Sequence, residues 1–106
     1  MSITSRKSSD SPSIPQSILS EATAAVFGER QQKYGHPRDN MQRTADLLNG
    51  YFAAKGVEFR ASADDIPVMM ILLKLARLVE TPGHRDSIVD VAGYAEVLAR
   101  TTGLDD

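Results

Sequence analysis

The chain of 106 residues has no cysteine and no tryptophan. Without thiols it can form neither disulfides nor thiolate metal sites, and it has no cysteine nucleophile. Its longest apolar run, residues 66–73, is too short to span a bilayer, and its N-terminus lacks the apolar core of a signal peptide. These absences predict a cytoplasmic protein that does not associate with membranes.

The sequence is also poor in net charge and in known enzyme motifs. Its formal charge of −2 argues against general nucleic-acid binding, because domains with that function are usually strongly basic. It contains no P-loop, no Gly-x-Gly-x-x-Gly and no His-Glu-x-x-His. Residues 29–43 nevertheless carry four basic and two acidic side chains, a local excess of positive charge that suits a small anion.

Helical spacing recurs along the chain, and no segment alternates as a strand would. We therefore predict an all-α fold, a compact bundle of four helices at about 15–33, 38–55, 64–80 and 85–102. The third helix is apolar nearly all round, which predicts that it is the buried centre of the bundle. Residues 1–15, rich in Ser and Pro, are predicted to be a disordered tail, and residues 16–106 a single domain.

The densest group of polar side chains lies between the first two predicted helices, in residues 29–40. A connection between helices needs only a Gly and a Pro, so the remaining polar groups indicate a functional site. Its candidates are Glu29, Arg30, Lys33, Tyr34, His36 and Asn40. His36 could act as a general acid or base, since imidazole exchanges protons near neutral pH. The alternative is that His36, which precedes a proline, only caps the next helix.

A second polar group is predicted where the third and fourth helices pack antiparallel. Lys74 and Arg77 share one face of the third helix, and Asp86 and Asp90 share one face of the fourth. These charges could form salt bridges that fix the register of the helices. Alternatively, Asp86 and Asp90 could bind Mg²⁺ with Glu29 as a third ligand, while the cations face a substrate phosphate.

Gly93 and Tyr94 stand out inside the fourth predicted helix. A glycine weakens a helix, so another helix or a ligand is expected to pack closely against Gly93. Tyr94, like Tyr34, could stack on a nucleobase or fill the core.

Several of these fragments resemble, in order and spacing, a family of small phage and prophage proteins of unassigned function. The fragments, which span about residues 18–100, are Glu29-Arg30, Tyr34-Gly35-His36-Pro37, Asn40, Met69-Met70, Lys74-x-x-Arg77, Asp86 and Asp90-x-x-Gly93-Tyr94-Ala95. That family is distantly similar to the MazG-like all-α nucleoside triphosphate pyrophosphohydrolases. The resemblance implies dimeric or tetrameric helical bundles that bind Mg²⁺ through a Glu-x-x-Glu and a Glu-x-x-Asp, with Asp90 at the final Asp.

The chain departs from that pattern, because it contains no Glu-x-x-Glu and has Lys74-x-x-Arg77 in the corresponding helix. We therefore carry two hypotheses, each with a homodimer or higher homo-oligomer in the host cytoplasm. In the first, the protein binds or hydrolyses a (deoxy)nucleoside triphosphate. Its catalytic residues would be Glu29, His36 and Asp90, its substrate-binding residues Arg30, Lys33, Tyr34, Asn40, Lys74, Arg77 and Tyr94, and its Mg²⁺ ligands Glu29, Asp86 and Asp90. In the second, the protein is a non-enzymatic module that binds a host or phage protein.

Overall fold

The computed structural model describes residues 17–104, apart from the side chains of residues 29–31. The described part of the chain is all-helical, as predicted. Its helices are α1 (Ile18–Phe27), α2 (Glu29–Tyr34), α3 (Pro37–Ala54), α4 (Asp65–Glu80) and α5 (Arg85–Thr101). The first predicted helix is thus present as two segments, and the other three lie close to their predicted bounds. The predicted tail lies outside the described residues.

The break between α1 and α2 falls at Gly28. Its backbone angles, φ −96° and ψ −121°, lie outside the helical range, although its N–H still donates to the Ala24 carbonyl oxygen at 2.9 Å. A Cβ at this position would lie 2.5 Å from the same oxygen. A side chain would therefore require the backbone to shift here, and Gly28 divides the first predicted helix into α1 and α2.

Both histidines begin helices. The Arg38 backbone N–H donates to Nδ1 of His36 at 3.0 Å, and the Ser87 backbone N–H donates to Nδ1 of His84 at 3.3 Å. Each ring therefore satisfies one of the amide groups that a helix start leaves without a partner. Pro37 follows His36 in the first turn of α3, where a missing N–H costs nothing. The Gly-His-Pro sequence is thus a helix start in its own right.

The central helix of the described fold is α5, which packs against α1, α3 and α4. The prediction that the third predicted helix, now α4, forms the centre is wrong, because α4 packs only on α5 and α3 among the described helices. The shared core combines residues from α1, α3, α4, α5 and the α3–α4 connection, namely Val26, Met41, Ala45, Ala61, Ile66 and Val97. Much of the apolar surface of α4 is left exposed.

The connection between α3 and α4 is held by the buried side chain of Asn49. Its Nδ2 donates to the carbonyl oxygen of Ala61 at 2.8 Å, and the Ala61 N–H donates to its Oδ1 at 2.7 Å. The connection therefore reaches Ile66, the first core residue of α4, along a fixed path. Among the described helices, none is both long enough and apolar enough to cross a membrane.

Candidate functional site

Two adjoining hollows lie between α1, the α2–α3 corner and α5. One has a volume of about 240 Å³ and the other about 300 Å³, each including solvent at its mouth. The first is lined by Val26, Tyr34, Gly35, Pro37, Asn40, Met41 and Val97, and the second by Val26, Asp90, Gly93, Tyr94 and Val97. Because Val26 and Val97 belong to both, we treat the hollows as one surface and name it the α1–α5 groove.

The corner between α2 and α3 forms one half of the groove. Gly35 turns the chain with a φ of +78°, a conformation that side chains rarely adopt, and buried Pro37 starts α3. This turn brings Tyr34 and Asn40, which lies in the first turn of α3, into the lining of the same hollow. Two of the predicted substrate-binding residues are therefore brought together here.

Helix α5 forms the other half, with Asp90 and Tyr94 one turn apart and Gly93 between them in sequence. A Cβ on Gly93 would lie 3.7 Å from Cγ2 of Val26, which is an ordinary van der Waals distance. Helix α1 therefore does pack beside Gly93, as expected, but not so closely that a methyl group is excluded. The missing Cβ adds room to the groove.

An ion pair joins α4 to this half of the groove. Nζ of Lys74 lies 3.0 Å from Oδ2 of Asp90, and the two side chains are 17% and 41% exposed. Lys74 and Asp90 therefore form a salt bridge between the third and fourth predicted helices, which is one of the two alternatives that the sequence left open. The pair links Asp90, which lines the groove, to Lys74 on α4, a helix with no residue among those that line the groove.

The other predicted residues are not gathered in the groove by the described structure. Lys33, Arg77 and Asp86 are exposed and are not among the described residues that line it. His36 is half-buried, and its Nδ1 accepts from the start of α3. The side chains of Glu29 and Arg30 lie outside the described residues.

A Mg²⁺ centre is not formed by the described side chains. Among them, no three His, Asp or Glu residues come together in a group that could hold a metal ion. The ammonium group of Lys74 lies against Asp90, so a cation binding there would meet a like charge. These residues do not fit Mg²⁺ as they stand, and the set Glu29, Asp86 and Asp90 stays a prediction because the Glu29 side chain is not described.

The structure adds Val26, Met41 and Val97 to the predicted site. They are core residues on helical stripes, and sequence alone offers no signal that such a residue also lines a groove. Asn49 did carry a signal, since it lies one turn after Ala45 on the buried face of α3. A polar residue at such a position needs a hydrogen-bonding partner.

These features define a small helical-bundle protein with an open groove beside a histidine-capped corner. The chain belongs to the family described as Domain of unknown function (DUF6378), whose model matches residues 17–102 and so includes all five helices. It is 46% identical over 84 residues to the Gene 55 protein of Mycobacterium phage L5, and 45% identical over 85 residues to the Gene 55 protein of Mycobacterium phage D29.

These matches cover 79% and 80% of this chain but only 51% and 53% of the two relatives. The chain therefore spans about half the length of the phage proteins that it resembles. No solved structure matches it significantly. The predicted resemblance to a phage protein family is confirmed. Similarity to the MazG-like enzymes is not shown by these matches and stays a prediction.

Proposed function

We propose that this phage-like protein binds a nucleotide, or another small molecule that carries phosphate, in the α1–α5 groove. The observation that carries the proposal is the set of groups that line one continuous surface. Tyr34 and Asn40, an aromatic ring and an amide from the α2–α3 corner, line one hollow. Tyr94 and Asp90, which pairs with Lys74, line the other hollow, and the two hollows share Val26 and Val97. Aromatic rings stack on nucleobases, amides hydrogen-bond with base edges, and lysine binds phosphate as a point charge.

The groove is open rather than enclosed. Its two hollows, at about 240 and 300 Å³ with the solvent at their mouths included, share Val26 and Val97. A ligand bound there keeps part of its surface in solvent, unlike a ligand in an enclosed pocket, which buries most of its surface. A ligand that uses both halves must lie across Val26 and Val97, which suits an elongated molecule with a flat ring at one end and a charged group at the other.

Binding is the version of the nucleotide hypothesis that the described contacts support. Hydrolysis of a (deoxy)nucleoside triphosphate with Mg²⁺ would need Asp90 to exchange the Lys74 ammonium for a metal ion. The catalytic roles predicted for Glu29 and His36 belong to this hydrolytic version. In the binding version the ion pair opens instead, and Lys74 turns toward the phosphate.

Thermal melting in the presence of nucleoside mono-, di- and triphosphates, with and without Mg²⁺, tests the proposal. A ligand at 100 times its Kd should stabilise the folded state by about 2.7 kcal/mol, which corresponds to a rise in Tm of roughly 10–20 °C. A shift without Mg²⁺ supports binding through lysine. A shift only with Mg²⁺ and a triphosphate supports the hydrolytic version, which release of pyrophosphate would then test. No shift with any nucleotide refutes both.

The variant Lys74→Met identifies the role of the cation, because it keeps the apolar stem and removes the charge. We expect it to abolish the ligand-induced shift. Arg43→Met is the matched control, since Arg43 is an exposed cation on α3 that is not among the described residues of the groove. If the Lys74 variant melts at a lower temperature but keeps the full ligand-induced shift, Lys74 is structural and the assignment is wrong.

A protein-interaction module is the second candidate function. The observation that favours it is the exposed apolar surface of α4, because large exposed apolar patches mark interaction sites. Self-association as a homodimer or higher oligomer is compatible with either function. Under the second candidate, substitutions in the groove leave partner binding unchanged and substitutions on α4 abolish it.

A further inference from the structure

Helix α4 is more apolar on its exposed side than a helix at the surface of a monomer should be. Lys74 pairs with Asp90 of α5, while four apolar residues of α4 lie along one exposed side. These are Val68, Leu72, Leu75 and Val79, which are 43%, 59%, 44% and 84% exposed, and we name them the α4 stripe. A surface helix normally shows the opposite arrangement.

The exposed area is large enough to form the centre of an interface. Met69 and Leu73 flank the α4 stripe, and the six side chains together are on average about half exposed. Full burial of one large apolar side chain removes roughly 60–120 Å² from water, so the exposed halves of six amount to roughly 180–360 Å² per chain. A standard interface buries about 800 Å² per partner, with an apolar centre and a polar rim. The α4 stripe and its flanks therefore supply a substantial part of what a dimer needs.

The spacing of the α4 stripe identifies the kind of partner. Its residues follow one another at intervals of four, three and four, which is the spacing of the contact line between two packed helices. This series reads the same in both directions. A second copy of α4 that runs antiparallel therefore places Val68 opposite the partner's Val79 and Leu72 opposite the partner's Leu75, so that residues of the same type meet.

We infer that the α4 stripe is the interface of a homodimer in which two α4 helices pack antiparallel about a two-fold axis between Leu72 and Leu75. The contact is isologous, since each copy uses the same surface, and such an interface closes after two chains. This inference does not rest on nucleotide binding. It explains why the most apolar helix of the chain lies at the edge of the described fold rather than at its centre.

Sedimentation equilibrium at micromolar concentrations gives the first test. We expect a dimer for the unmodified chain and a monomer for Leu72→Glu, which places two carboxylates at the centre of the contact. Leu47→Glu on α3 is the matched control, because Leu47 is 73% exposed and lies outside the α4 stripe, and it should remain dimeric. Circular dichroism of both variants shows whether the helices are retained. A monomeric unmodified chain would overturn the inference and leave the surface to a different protein.

Cross-linking tests the orientation without relying on a destabilising variant. Because the chain has no cysteine, single cysteines can be added in isolation. In an antiparallel pair, the variants Val68→Cys and Val79→Cys should form disulfide-linked dimers when mixed. Either variant alone should not, because its two copies of the added thiol would be roughly 16 Å apart along the helix axis, beyond disulfide reach. Efficient cross-linking of Val68→Cys with itself would overturn the antiparallel arrangement.

Discussion

Replacing Asn49 with alanine should destabilise the domain by about 2–4 kcal/mol, because the change leaves two backbone groups buried without partners. Asn49 is 8% exposed and Ala61 is 6% exposed. The N–H and the carbonyl oxygen of Ala61 both bond to the Asn49 side chain, at 2.7 and 2.8 Å. Each unsatisfied group costs about 1–3 kcal/mol, and water that enters the small space left by the amide recovers part of that.

The loss would be a large share of the total, since domains of this size are stable by about 5–15 kcal/mol. Urea denaturation followed by circular dichroism measures it, and a lower midpoint with an unchanged slope indicates loss of stability alone. Gln42→Ala is the control. Its amide also lies on α3 and bonds to Asp46 at 2.9 Å, but both residues are exposed, so the change should cost less than about 0.5 kcal/mol. If Asn49→Ala and Gln42→Ala unfold at the same urea concentration, the buried amide does not hold the α3–α4 connection.

Three further predictions concern α5 and its contacts with α1, which include an ion pair between Glu21 and Arg85. Gly93→Ala should raise Tm, because an added Cβ meets Val26 at 3.7 Å and a helical glycine costs about 0.5–1 kcal/mol; a lower Tm would show that the groove wall cannot accept a methyl group. His84→Ala should cost about 1 kcal/mol in urea denaturation through loss of the α5 cap, whereas His84→Asn, which keeps a capping acceptor, should recover most of it. Glu21→Gln should cost at most about 1 kcal/mol, since its partner Arg85 is half-exposed, and the cost should shrink in 1 M salt; a cost that salt does not change would contradict a solvent-screened pair.

The helices and their ends were largely predictable because the signals are local. Apolar residues at helical spacing mark the segments, and Gly35 with Pro37 marks a corner that the structure confirms. The conformation of Gly28 was not predictable, because a glycine inside an apolar pattern is compatible with either a continuous or a broken helix. Which helix lies at the centre also escaped prediction. The sequence pattern shows that α4 is apolar. Which helices pack against its apolar surface depends on contacts between residues that are far apart in sequence.

The site was predictable only in part, for a related reason. A short corner connects Tyr34 to Asn40, and one helical turn separates Asp90 from Tyr94. The two members of each pair therefore line the same hollow for reasons of local geometry. That these two pairs share a groove depends on how α1 packs against α5, which no local pattern encodes. Asp86 shares a helical face with Asp90, yet it lies in the first turn of α5 and is exposed.

The side chain of Val26 belongs both to the hydrophobic core and to the two halves of the groove. A change at this position therefore affects the core and the groove together. Packed interiors transmit small displacements because they contain little free space. A molecule that pushes Val26 aside must therefore rearrange the contact between α1 and α5. Conversely, any substitution that loosens that contact alters the shape of the groove. If the groove binds a ligand as proposed, substitutions at Val26 would change ligand binding and folding stability together.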